Sequence, residues 1–232
     1  MDKDPECLQQ KLQIQANHSV QWIRDNEMVC SGEKTKLLVI STKELRQSKL
    51  TRTNKEITVN VCGKEIRESS AEKLLGMIID NDLTFKTYLY GNNKTGKDKE
   101  TGLLTKLSQR IGIVKKLSQV LTPKQLKSVT NGLFNSKLIY CLPLFCNVWT
   151  GNETNLNLRF TAFTRNDSRK LQVLQNKVLR IITGHDRYTR TSTLLETSGE
   201  LSVNQLAAFH TLLTVHKAVK SGKPRAISEN YL

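Results

Sequence analysis

Hydrophobic residues recur at helical spacing near the start of the chain: Leu8, Leu12, Ala16, Val20 and Ile23. This spacing predicts an amphipathic helix from Pro5 to about Asp25, with the proline suited to the first turn. The pattern then changes. Leu37-Leu38-Val39-Ile40 is a short apolar run that reads as a buried strand. Ile57 to Val61 alternates apolar and polar, Cys62-Gly63-Lys64 turns the chain and Ile66 resumes it, which is a hairpin signal. Leu74 to Ile79 is a further apolar run. Gly76 interrupts it, and a glycine inside a strand marks a bulge or the close approach of another backbone.

After a polar, glycine-containing linker, Gly91 to Thr101, the period becomes helical throughout. Leu103, Leu107, Ile111, Val114 and Leu117 mark one helix. Thr122-Pro123-Lys124-Gln125 is a capping box that opens a second, with Leu126, Val129, Leu133, Lys137 and Tyr140 along one side and a stop before Pro143. Thr150 to Arg165 reads as a polar loop. Ser168 is placed to cap a helix carrying Leu171, Leu174, Val178 and Ile181, which ends at Thr183-Gly184. Ser202 to Gln205 is another capping box, and its helix runs through Leu206, Phe209, Leu213 and His216 to Gly222. The expected fold class is α+β: a small antiparallel sheet with one long helix over residues 1–90, a linker over 91–101, and an all-helical bundle of roughly four helices over 102–232.

Charge gives this division a functional meaning. The 232 residues carry 36 Lys and Arg against 21 Asp and Glu, a net charge of +15. Residues 1–85 balance, with 13 of each sign, whereas residues 86–182 hold 17 bases and four acids. From Lys106 to Lys137 there is no acid at all. A basic excess this localised fits a polyanionic partner, and the helical part is where that partner would be met.

The remaining residues exclude more than they assign. No apolar run reaches the roughly 18–20 residues that a membrane helix needs, and the start, MDKDPECLQQ, is too polar for a signal peptide. An intracellular location, nuclear or cytoplasmic, is therefore expected. Five dispersed cysteines without a CxxC pair read as free thiols in a reducing compartment. The sequons at Asn17, Asn93, Asn152 and Asn166 are then chance matches. His18, His185, His210 and His216 have no metal-ligand spacing, and Cys141 and Cys146 read as small hydrophobes around Pro143. Asp2 and Asp4 precede the first helix, where carboxylates favour its dipole. No phosphate loop or nucleophile triad is present, so the motifs taken singly point to no enzyme and no cofactor.

Two helices carry the basic signal. Lys106, Gln109, Arg110 and Lys116 lie away from the Leu103/Leu107/Ile111/Val114 stripe, and Arg169, Asn176, Lys177 and Arg180 lie away from the Leu171/Leu174/Val178 stripe. Long cations on a helix suit sequence-independent phosphate contacts. A helical protein-interaction module with incidental basicity is the rival reading.

Several short segments follow one another in a familiar order. Ser31-Gly32-Glu33-Lys34-Thr35-Lys36 precedes the Leu37–Ile40 run, Lys73-Leu74-Leu75-Gly76-Met77-Ile78-Ile79-Asp80 precedes Asp82-Leu83-Thr84-Phe85, and then come Ser136-Lys137-Leu138-Ile139-Tyr140, Trp149, Leu174-Gln175-Asn176-Lys177 and Arg180-Ile181-Ile182. This succession, spanning about residues 8 to 220, resembles the C-terminal palm and thumb of non-LTR (LINE-type) retrotransposon reverse transcriptases. The resemblance implies a polymerase palm remnant followed by a thumb, with a template–primer duplex of RNA or DNA as partner. It implies that Lys34 lies near the incoming nucleotide as an electrostatic aid or proton donor. It places Leu75 and Gly76 in a hairpin that supports the primer end, and Ser136 and Tyr140 in contacts that hold the thumb together. Lys106, Arg110, Lys116, Arg169, Lys177 and Arg180 would grip the duplex.

Two departures bear on activity. Ser31 stands where family members often have Asn. More serious, the chain has no adjacent Asp-Asp pair, which the family uses to hold its two metal ions. The resemblance sets that motif just before the first helix. The expectation is thus a truncated fragment that binds nucleic acid and is inactive alone, with Mg2+ needed only by a complete enzyme. An active polymerase of which this is a recorded part is the further alternative.

Overall fold

The structure is a computed structural model that describes residues 5–40, 56–92, 101–146 and 163–224. The expected linker 91–101, the loop 150–165 and Trp149 lie largely or wholly outside those residues, as do Asp2 and Asp4. The fold is α+β, as the alternation of periods predicts. The chain divides into two compact units, Met1–Thr84 and Phe85–Leu232.

In the first unit, helix α1 (Pro5–Asp25) lies against a sheet of β1 (Leu37–Leu38), β3 (Lys64–Ser69) and β2 (Thr58–Val61), in that order. Leu12, Ala16 and Val20 pack on Val59, Val61 and Ile66, so the i, i+4 stripe of the helix meets the inward face of the hairpin. The hairpin signal is correct: Val61 pairs with Lys64 across Cys62-Gly63. The Leu37–Ile40 run forms only a two-residue, half-buried strand, and it pairs with β3 in parallel, so the sheet is not wholly antiparallel. Cys30 packs on the same apolar cluster.

Two strands, β4 (Ala71–Leu74) and β5 (Met77–Asp80), form a separate antiparallel hairpin. The reading of Gly76 is corrected here. It is neither a bulge nor a point of close approach, since a β-carbon built on it would touch nothing within 4 Å. It is the second residue of the β4–β5 turn, where Leu75 has φ 48° and Gly76 φ 86°. Two positive φ values in a two-residue loop give the twist that antiparallel strands require.

The second unit begins with α2 (Lys86–Tyr90), followed by α3 (Leu103–Leu117), α4 (Pro123–Thr130), a π-helical stretch Asn131–Asn135, α5 (Ser136–Ile139) and α6 (Leu142–Phe145). Then come α7 (Arg165–Thr183), α8 (Thr191–Ser198) and α9 (Val203–Ser221). Leu103, Leu107 and Val114 of α3 and Leu171, Leu174 and Val178 of α7 are buried along their expected stripes. The aromatic core is a chain of edge-on rings, Tyr88 against Phe145 at 5.4 Å and Phe145 against Phe163 at 5.9 Å.

Three helical expectations are revised. The helix opened by the Thr122 capping box does not run evenly to Tyr140: its buried residues are Leu126, Thr130, Phe134 and Leu138, four apart, and the π turn lies among them. The cap of α7 is Thr164, and Ser168 instead bonds Asn204 Oδ1 at 2.6 Å. On α9 it is Leu206, Ala207 and Ala218 that are buried, while Phe209 and Leu212 are 51% and 69% exposed.

Gly102 has a clear steric role. A β-carbon there would lie about 2.5 Å from both the Gly91 amide nitrogen and the Leu89 carbonyl oxygen, so only glycine lets α3 start against the end of α2.

The β2 edge is closed by a side chain. Gln13 Nε2 donates to the Asn60 carbonyl and Gln13 Oε1 accepts from the Asn60 amide, each at 2.8 Å. One amide of α1 thus stands in for a neighbouring strand. Gln13→Ala is expected to raise the hydrogen-exchange rate of the Asn60 amide by about fivefold, the effect of roughly 1 kcal/mol of lost bonding. An unchanged rate would show that the edge does not depend on Gln13.

Candidate nucleic-acid interface

The second unit is organised around one buried acid. Asp167 is the third residue of α7, 3% exposed, and completes a capping box with Thr164: the Thr164 amide and hydroxyl donate to Oδ2 at 2.8 Å, and the Asp167 amide donates back to the Thr164 hydroxyl at 3.3 Å. Lys86 Nζ reaches the same oxygen at 2.7 Å, and the Tyr90 hydroxyl donates to Oδ1. Lys170 donates to the Tyr90 oxygen at 3.1 Å and lies 4.7 Å from the centre of its ring. Burial alone would push the Asp167 carboxyl up; the bonds from Lys86, Tyr90 and Thr164 outweigh it and hold the group well below the usual carboxylate range. This acid therefore neutralises Lys86 and anchors α2 to the start of α7.

With Asp167 occupied in this way, Arg165, Arg169, Lys170 and Lys177 of α7 are exposed, whereas Arg180 is half-buried. Arg165, Arg169 and Lys177 recur at multiples of four along the helix, exposed, with half-exposed Val173 between them. From Arg165 to Lys177 the stripe runs about 18 Å at 1.5 Å per residue. Beside it lies a groove of about 500 Å3 between α3 and α7, floored by Leu104, Val173 and Leu174 and rimmed by Thr105, Ser108, Asn166, Arg169 and Lys170. Hydroxyls, an amide and two cations around an apolar floor can bind phosphate oxygens at the rim and a sugar or base face below.

The structure separates the expected binding residues into two groups. Arg169, Lys177 and Lys116 are exposed. Arg110 and Arg180 are half-buried and hold backbone carbonyls: Arg110 Nη1 donates to Leu133 in the π turn, and Arg180 Nη2 donates to Thr189 at 3.1 Å. Lys106 is half-buried, and Lys116 is exposed about 80° round α3 from it at 100° per residue. Asn176, expected outside, is buried and donates to the Thr191 hydroxyl at 2.8 Å. In the first unit, Lys34 is exposed in the tight turn Ser31–Thr35. Leu75 is 85% exposed at the tip of β4–β5, with Gly76 beside it.

Among the described residues no three His, Cys, Asp or Glu side chains converge as a metal site. Asp80, in Asp80-Asn81-Asp82, is already committed to its own turn, accepting from the Asp82 and Thr84 amides and the Thr84 hydroxyl at 3.2, 2.7 and 3.0 Å. No described helix is long and apolar enough to cross a membrane. Compared with models of protein families, with curated proteins and with solved structures, the chain matches none.

Asp167 was not singled out by its sequence neighbourhood, although Thr164-x-x-Asp167 is a capping-box pattern; its cationic partner is 81 residues away. Because its pKa is depressed in the folded state, the stabilisation it gives is present at neutral pH and lost as pH falls below about 4. Asp167→Asn is expected to cost about 2–3 kcal/mol at pH 7 and to flatten the acid limb of stability. Urea titrations at pH 7 and pH 3 check both. Equal sensitivity to acid in the two proteins would remove Asp167 as the cause.

Proposed function

We propose that this chain is the palm-end and thumb part of a non-LTR reverse transcriptase, and that it binds RNA or DNA through the exposed face of α7 without catalysing synthesis itself. The observation that carries the reading is the Arg165–Arg169–Lys177 stripe beside the α3–α7 groove, in a segment from which nearly all acids are missing. Phosphate contacts from such a stripe are independent of base sequence and release counterions. The order of short motifs along the chain is what supports the reverse-transcriptase part of the reading. The chain has no Asp-Asp pair, so the residues present do not hold the two ions that nucleotide addition uses.

The exposed Phe209 and Leu212, one turn apart on α9, favour a second reading in which this unit docks a protein. The two readings differ in salt dependence. A labelled primer–template duplex, followed by fluorescence anisotropy, is expected to bind with affinity falling steeply between 50 and 200 mM salt. Arg169→Glu with Lys177→Glu is expected to reduce affinity at least tenfold and to lower the salt slope by about two. Binding that ignores both salt and these substitutions would overturn the nucleic-acid reading. Primer extension with magnesium by the purified chain would overturn the non-catalytic one.

A further inference from the structure

The basic stripe of α7 does not stop at Lys177. Arg180, one turn on, turns toward the loop that joins α7 to α8 and holds its Thr189 carbonyl at 3.1 Å. That loop, Gly184 to Arg190, begins with Gly184 in the left-handed region at φ 72°. It contains His185, Arg187 and Arg190 against one acid, Asp186. The acid, itself exposed, ties the turn together: its Oδ1 accepts from the Tyr188 amide, the Thr189 amide and the Thr189 hydroxyl, each at 2.9 Å. The Thr189 hydroxyl and these amides hold the Asp186 carboxyl below its ordinary range. The backbone on either side of Tyr188 is therefore fixed from two directions, by Asp186 and by Arg180.

The side chain so positioned is left outside. Tyr188 is 81% exposed, and the Arg187 guanidinium lies 5.3 Å from the centre of its ring. A single exposed aromatic is ordinary on a protein surface. Here it stands on a pinned turn, beside a cation, at the end of a cationic stripe. At the foot of the loop, Arg180 Nε and His185 Nδ1 are buried and have no hydrogen-bond partner among the described residues.

We propose that Tyr188, with Arg187 and Arg190, is a stacking site for an unpaired base of a nucleic-acid strand whose backbone follows the α7 stripe. With the backbone on either side of Tyr188 already fixed, only the side-chain rotation is lost when a base stacks on the ring. Every base offers a face, so the site takes single-stranded RNA or DNA without reading sequence. Arg187 and Arg190 would meet the phosphates that flank the stacked base. Asp186 keeps its negative charge, with Oδ1 engaged by three donors, but Arg187 and Arg190 outnumber it and leave the loop net positive. The inference rests on the nucleic-acid reading of α7 and extends it from a paired duplex to an unpaired strand.

The test uses the full chain with two probes: a blunt duplex, and the same duplex with a single-stranded tail bearing 2-aminopurine at its first unpaired position. Tyr188→Ala is expected to weaken the tailed probe roughly fivefold or more, to abolish the quenching of 2-aminopurine, and to leave the blunt duplex unchanged. Tyr188→Phe and Tyr188→Trp are expected to keep both signals. Tyr188→Ala that binds the tailed probe as tightly as the parent, while Arg169→Glu with Lys177→Glu still weakens both probes, would overturn the stacking site and leave the α7 reading standing. A Phe variant as weak as Ala would overturn it too, since the hydroxyl and not the ring would then be the contact. If the parent binds neither probe, both proposals fall together. Because the ring is exposed, circular dichroism of the variants should match the parent and separates loss of binding from loss of fold.

Discussion

The second unit depends on a carboxylate that is taken out of water. Burying a charge is unfavourable unless it is paired and fully hydrogen-bonded. Asp167 meets that condition through Thr164, Lys86 and Tyr90, which come from the start of its own helix and from α2. The arrangement also uses the helix: an acid in the first turn of α7 lies where the helix dipole is positive. α2 has five residues, too few to hold its shape alone, and it is kept by this bond, by Tyr88 and Leu89 in the core, and by the close approach at Gly102.

The same bond arranges the charges of α7. Among the first six residues of that helix Arg165, Arg169 and Lys170 accompany a single acid, and that acid faces inward. An exposed Asp at this place would have screened its neighbours. Buried, it neutralises Lys86 and adds no exposed negative charge beside Arg169 and Lys177. The cations of the unit thus fall into two kinds. Arg110 and Arg180 complete backbone hydrogen bonding, so charge reversal at either would damage the fold before it reported on binding. Arg169 and Lys177 can be changed with little structural cost.

How much of this was legible in the sequence follows from the range of each interaction. Local periodicity identified α1, the β2–β3 hairpin, α3 and the core stripe of α7, because amphipathic spacing and turn residues act within one element. The capping boxes at Thr122 and Ser202 were legible for the same reason. The short helices α2 and α8 were not: Lys86–Tyr90 follows Phe85 in a left-handed conformation with no side-chain cap, and Thr191–Ser198 has little apolar stripe to display. The site was half legible. Position on a helical wheel found Arg169 and Lys177 outside, but it could not show that Arg110, Arg180 and Asn176 reach partners in other elements. Nor could it show the pinned turn at Tyr188, which is built by Asp186 and has no periodicity.

The π turn at Asn131–Asn135 has a further consequence. Leu126, Thr130, Phe134 and Leu138 are all buried at intervals of four, yet in a regular α-helix each such step rotates by about 40°, and Leu138 would end about 120° away from Leu126. The wider turn takes up much of that rotation by accommodating an extra residue, with Arg110 bonded to a carbonyl inside it. Shortening the stretch by one residue would bring the spacing to eleven, nearly three full α turns, with both leucines still inward. This is a place in the bundle where chain length can change by one without turning the helix on either side.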